Sequence, residues 1–151
     1  MFFKTLFAFA ALATGSTYAQ GCSNEGRFGV LTISPEPIVL GQEVTIKADF
    51  NCSSDFGITP VYTDYTLVVP AANNTGFQLP VYFARRNAPS GTTDTFTVAF
   101  DPNYFGFTVY PDAQYEVVLT TAFVIQTDSF GETLVTGSVE KPVSFIQPQS
   151  H

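Results

Sequence analysis

Tryptophan is missing from this chain altogether, histidine and methionine occur once each, and there are only two cysteines and six basic side chains. Each shortage excludes something. Without tryptophan, a flat indole-lined polysaccharide platform is disfavoured. The single histidine, His151, ends the polar tail Gln147-Pro148-Gln149-Ser150-His151. No rigid element there orients an imidazole, so Ser-His-Asp and Cys-His chemistry lacks its base. Two cysteines cannot build a zinc site alone. Six cations against thirteen carboxylates leave no basic stripe, so neither nucleic acid nor an anionic membrane surface is an expected partner. No second apolar run follows the N-terminal one, so neither a stop-transfer helix nor a lipid-anchor signal is expected near the C-terminus. No phosphate loop, metal signature or cofactor motif occurs either, and the expectation is no cofactor, no metal and no catalytic residue.

What is present begins at the N-terminus. Lys4 precedes an apolar run from Leu6 to Ala13, and Thr17-Tyr18-Ala19 places small residues where a signal peptidase cuts. The run is too short to span a membrane, so residues 1–19 read as a secretory signal peptide and the product as secreted. Residues 20–151 remain, one ordinary domain with a formal charge of minus 8 once Lys4 is lost. In an oxidising route, Cys22 and Cys52 are best paired as one disulfide. Closing a loop of that length stabilises a fold by roughly 3–4 kcal/mol in the chain-entropy account.

Alternation of apolar and polar residues dominates the rest, and the fold class is all-β. In Glu43 to Phe50, Val44, Ile46, Ala48 and Phe50 share one face, opposite Glu43, Thr45, Lys47 and Asp49. Six further strands are expected at Phe28–Ile33, Val61–Val69, Phe77–Phe83, Thr95–Phe100, Gln114–Gln126 and Thr133–Val143. Asn51–Pro60 and the polar stretch from Arg85 to Thr93 read as loops, and Pro80 marks an edge strand. Seven strands at this spacing favour a two-sheet sandwich over a barrel.

The segment Val109-Tyr110-Pro111-Asp112-Ala113-Gln114-Tyr115-Glu116-Val117-Val118-Leu119 resembles the tyrosine corner of fibronectin type III and other immunoglobulin-like sandwiches. In that motif a tyrosine near the start of strand F bonds back to upstream backbone. Tyr115 takes that role, and the resemblance implies a single immunoglobulin-like antiparallel β-sandwich. The chain departs from antibody domains in lacking tryptophan and in carrying Ala48 and Ala122 where the inter-sheet cysteines would stand. The run Leu31 to Ala48, with its proline-glycine turn, is also similar to the opening of MD-2-related lipid-recognition domains. That likeness implies a lipid held between the sheets by Phe50, Leu67, Phe96, Phe100 and Phe123. In its short signal, acidic body and single disulfide the chain resembles small secreted proteins of filamentous fungi and mushrooms, among them adhesins, effectors and immune-modulating proteins.

Several residues are candidates for sites. Asn51-Cys52-Ser53 and Asn73-Asn74-Thr75 satisfy the glycosylation pattern, with Asn73 on an exposed turn and Asn51 in competition with its neighbouring disulfide. Asp49, Asp55 and Asp64 bracket one loop and are oxygen ligands of the kind calcium takes, though at no recognised spacing. Arg85-Arg86, read as a loop, is a dibasic processing site or simply solvated charge. Phe56, Tyr62, Tyr82, Tyr104, Phe105, Phe107 and Tyr110 cannot all face one small core. Packing between the sheets is the favoured reading of most of this set, and Tyr104, Phe105, Phe107 and Tyr110 are the candidate ligand patch. The resulting expectation is a non-catalytic extracellular binding module whose partner is a protein, a glycan or a lipid. A lipid carrier and a carbohydrate-binding accessory protein are its rivals, and the edge strand and exposed aromatics leave room for a homodimer.

Overall fold

Period-two burial assembles the chain into antiparallel sheets. The structure, a computed structural model, describes residues 22–76 and 78–147, so the expected signal peptide and His151 lie outside the described residues. A short 3₁₀ turn, Asn24–Phe28, leads into β1 (Val30–Ser34), β2 (Ile38–Val39) and β3 (Glu43–Asp49). Helix α1 (Asn51–Asp55) precedes β4 (Pro60–Val68), and a second 3₁₀ turn, Ala71–Asn73, precedes β5 (Val81–Asn87) and β6 (Thr93–Ala99). Helix α2 (Phe105–Val109) then leads into β7 (Tyr115–Thr127), β8 (Gly131–Val143) and β9 (Phe145–Ile146).

Three strands form one sheet in the order β1-β3-β6, and four form another in the order β5-β4-β7-β8. Every neighbouring pair in both is antiparallel. The two short strands β2 and β9 pair in parallel, an element the alternation pattern does not reveal. Both sheets feed one hydrophobic cluster. Val44, Ile46 and Ala48 of β3 enter it from the first sheet, and Tyr65, Leu67, Val117 and Leu119 enter it from the second, all at most 1% exposed. Each such fully buried aliphatic side chain contributes on the order of 1.5–3 kcal/mol. Across the gap between the sheets, Tyr65 meets Phe96 edge-on with ring centroids 4.9 Å apart, and Phe83 meets Phe100 at 5.3 Å.

Two glycines are required by close approach. Gly29 (φ 116°) carries the chain from the 3₁₀ turn into β1 directly against the Phe50 ring and Leu119. At Gly137 the ring of Phe28 lies where a side chain would project, and the same ring stacks on Phe123 at 5.7 Å. Thr121 donates its hydroxyl to the Phe28 carbonyl at 2.7 Å, which fastens this N-terminal segment to β7.

Three expectations need correction. The strand placed at Phe77–Phe83 begins only at Val81 and runs on through Arg85 and Arg86 to Asn87. Those arginines are therefore strand residues, not a loop: Arg85 finds Asp64 across the ladder on β4, and Arg86 finds Asp94 on β6 of the other sheet. Asn51–Pro60 is not wholly irregular, since five of its residues wind into α1 around Cys52. The disulfide Cys22–Cys52 is present, with Cα atoms 5.2 Å apart, and ties the N-terminal segment to α1 without crossing the core. β5 does lie at a sheet edge, just after Pro80.

Replacing both Cys22 and Cys52 by Ser is expected to lower unfolding stability by roughly 3 kcal/mol, because the loop they close is thirty residues long. Denaturant unfolding of the secreted chain checks this. A loss below about 1 kcal/mol would mean that packing of Phe28 on Phe123 already holds the N-terminal segment.

Candidate functional site

The expected aromatic patch turns out to brace the fold. Tyr115 opens β7, is 2% exposed, and places its hydroxyl 2.9 Å from the Gly106 carbonyl and 3.0 Å from that of Tyr110, to which it donates. That backward bond is the corner geometry expected from the sequence. Burial, with Tyr104 and Tyr110 adding to it, pushes the Tyr115 phenol up to about 12. Phe107 takes the core-packing alternative: at 5% exposure its ring lies 5.1 Å from Tyr115 and 4.8 Å from Phe145. Tyr104 accepts from Gln78 Nε2 at 3.0 Å, and the Tyr110 hydroxyl lies 2.7 Å from Thr75 Oγ1. Both rings are half-buried with their polar ends engaged; the side chain of Phe105 lies outside the described ones.

The residues expected to line a lipid chamber are core residues too. Phe50, Leu67, Phe100 and Phe123 are at most 8% exposed, and Phe96 is in ring contact with Tyr65. They fill the space between the sheets. A cleft of about 390 Å³ does open beside Phe107, Tyr115 and Phe145, but none of the five lipid-lining candidates borders it.

Arg85 and Arg86 are adjacent on β5 and serve opposite faces. Arg85 donates Nε to Asp64 Oδ1 at 2.7 Å and Nη2 to Oδ2 at 2.8 Å, while Tyr82 donates to the same Oδ1. Its guanidinium carbon also lies 4.6 Å from the centroid of the Tyr62 ring. This cluster stands on the outer face of the four-stranded sheet. Inward, Arg86 donates Nη2 to Asp94 Oδ1 at 3.0 Å, and the buried Tyr65 donates to Asp94 Oδ2 at 3.1 Å. Asp94 belongs to β6, so this group links the two sheets along one margin. Burial, reinforced by the Asp94 charge, holds the Tyr65 phenol well above its ordinary range.

The acidic trio does not converge. Asp64 is committed to Arg85, Asp49 accepts the Asn51 amide at 2.9 Å, and no group of three metal-ligating side chains forms among the described residues. Asn73 is exposed at the end of its 3₁₀ turn. Asn51 is exposed as well, yet its sequon is folded into α1, with Cys52 in the disulfide and the Ser53 hydroxyl buried.

What sequence reasoning missed is an apolar end. Pro60 sits opposite Phe123, so β7 and β8 run past the sheet as a two-stranded ribbon. The α1 connection leaves the sheet at this same end, and so does the β5–β6 connection, where the Ala88 amide donates to Val61 at 3.0 Å. Phe56, Val61, Val124, Ile125, Phe130 and Leu134 all stand exposed here, Phe130 at 84%. Val124 and Leu134 face each other across the ribbon. Asp55, Asp128 and Glu132 are the exposed carboxylates around them. The ribbon is braced, since Gln126 donates to Glu132 at 2.9 Å and the Phe130 amide donates to Thr127 Oγ1 at 3.1 Å.

No protein-family model matches the chain, and no curated protein matches it significantly. Function therefore rests on the arrangement itself.

The bonds from Arg85 and Tyr82 hold the Asp64 carboxyl below its ordinary value, against a smaller opposing effect of burial. Its contribution to stability is complete above about pH 4 and is lost as pH falls through the lowered folded-state value. Asp64→Asn is expected to flatten the thermal-stability profile below about pH 4. A profile with unchanged slope in that window would show that the cluster does not couple to folding.

Proposed function

We propose that this chain is a secreted, non-catalytic glycoprotein with an immunoglobulin-like sandwich, and that it works by binding an extracellular protein through its apolar end. The observation that carries this reading is the concentration of exposed apolar side chains at one end of the sheet: Val124, Ile125, Phe130 and Leu134 on the braced ribbon, Val61 at the start of β4 and Phe56 just after α1. A soluble chain that leaves Phe130 in water accepts a solubility cost, and contiguous exposed apolar surface marks interaction sites. Recognition in sandwich domains is concentrated in the connections clustered at one end.

The strand order supports the architectural part. With β1, β3 and β6 as strands A, B and E, and β4, β7 and β8 as C, F and G, β5 joins strand C on the G-F-C side. The bond from Tyr115 at the start of strand F is consistent with the same reading. A disulfide belongs with an oxidising compartment, and the N-terminal signal sequence with export.

Charge narrows the partner. Carboxylates at Asp55, Asp128 and Glu132 around an apolar centre fit a partner whose contact surface is apolar in the middle and cationic at the rim. A screen of the labelled chain against displayed extracellular proteins tests this. Hits are expected to be cationic, to weaken with added salt, and to lose at least tenfold in affinity with the combined Phe130→Ser and Leu134→Thr variant. Hits that bind this variant equally well would overturn the reading.

The glycoprotein part is checked separately. In material secreted from a eukaryotic host, Asn73→Gln is expected to remove one glycan mass. Asn51→Gln is expected to remove a second mass only from the fraction glycosylated before α1 and the disulfide form. An unchanged mass for Asn73→Gln would reject that site.

A further inference from the structure

The outer face of the four-stranded sheet carries a second, chemically different surface. Strand register sets out three rows across it. Asn87, Tyr62, Ala122 and Thr136 align in the first, Arg85, Asp64, Thr120 and Ser138 in the second, and Tyr82, Thr66, Val118 and Glu140 in the third. The middle row is polar throughout: the Arg85–Asp64 pair is followed by a Thr120–Ser138 hydroxyl pair 3.1 Å apart. At one side of that row stands Tyr82, 52% exposed and held by its bond to Asp64.

We infer that this face binds a neutral polysaccharide, with Tyr82 as the stacking surface and Arg85, Asp64, Thr120 and Ser138 as hydroxyl partners. The chemistry of the face selects among ligand classes. Arg85 gives its charge to Asp64 and its Nε and Nη2 hydrogens to the same carboxylate, so it offers an anion little net attraction. Glu116 and Glu140 share the face, and an anionic chain would meet them as like charge. A lipid would find too little apolar area among these rows. What suits them is a ligand with many hydroxyls and one apolar ring face. A sugar ring presents its C–H face to a tyrosine and its hydroxyls to donors and acceptors already fixed in place. Fixing matters, because side chains ordered beforehand lose less entropy on binding. Arg85 retains Nη1, whose two hydrogens have no protein acceptor among the described residues.

This site is separate from the apolar end, and the test keeps them apart. The full secreted chain is mixed with particles of β-1,3-glucan, cellulose or chitin, and the unbound fraction is measured at low and high salt. Retention on one of the three is expected, unchanged by salt, at least tenfold weaker for Tyr82→Ala and for Arg85→Gln, and unaffected by Phe130→Ser. Tyr82→Phe keeps the ring and is expected to retain most of the binding, which separates loss of stacking from loss of fold. The inference is overturned if the protein stays in the supernatant with all three, if Tyr82→Ala binds as well as the parent, or if retention collapses with salt.

Discussion

The inner row of β7 is the constraint on which the rest of the structure depends. β7 is an interior strand of the longer sheet, paired with β8 along its whole length from Tyr115 to Thr127 and with β4 from Glu116 to Phe123. Its alternate residues Tyr115, Val117, Leu119, Thr121 and Phe123 all point into the core. Because side chains alternate with a period of two, a slip of one residue would turn this entire row outward and bring Glu116, Val118 and Thr120 in. Both ends of the row are pinned. Tyr115 is tied to the Gly106 and Tyr110 carbonyls, and Thr121 and Phe123 are tied to Phe28 by a hydrogen bond and a stacked ring. Once the register of β7 is set, β4 and β8 have only one way to pair with it.

The dipeptide Arg85-Arg86 shows how one strand can serve two surfaces. On a pleated strand, neighbouring side chains face opposite ways, so two adjacent cations are placed on two different carboxylates. The outer pair, Arg85 with Asp64, is solvent-accessible and bidentate, which favours definition of geometry more than stability. The inner pair, Arg86 with Asp94, has its carboxylate 7% exposed and shares it with the Tyr65 hydroxyl. Removing either partner there would strand a buried polar group, so the inner arginine is structural and the outer one is free to take part in binding. Both lie within β5 and not at a loop tip.

Much of this was legible in the sequence, for a physical reason. Strands with one buried and one wet face write their pattern directly, as in Val44, Ile46 and Ala48 or in Val117 and Leu119, and the bond from Tyr115 back to upstream backbone falls where its sequence neighbours suggested. The missed pieces involve partners distant in sequence. Nothing local to Arg85 and Arg86 shows that Asp64 and Asp94 lie opposite them, so charged residues beside a proline and a glycine read as a loop. Phe107 could not be assigned to core or patch from sequence alone because its neighbours, Tyr115 and Phe145, come later in the chain. The apolar end was illegible for the opposite reason. Ala122-Phe123-Val124-Ile125 reads simply as more apolar strand, and only the point where β4 stops shows that its end has run beyond the sheet.

That stopping point separates fold from function along the same two strands. β4 ends opposite Phe123, and beyond that point β7 and β8 are paired only with each other. A two-stranded ribbon is marginal in water by itself. This one is nonetheless held in shape by the Gln126–Glu132 bond and by Thr127, which bonds both to the Phe130 amide and to the Gly131 carbonyl. These polar bonds fix the turn and the strand ends around the exposed apolar side chains. The ordering entropy is then met during folding and not during association, which is the condition for a small surface to bind with useful affinity.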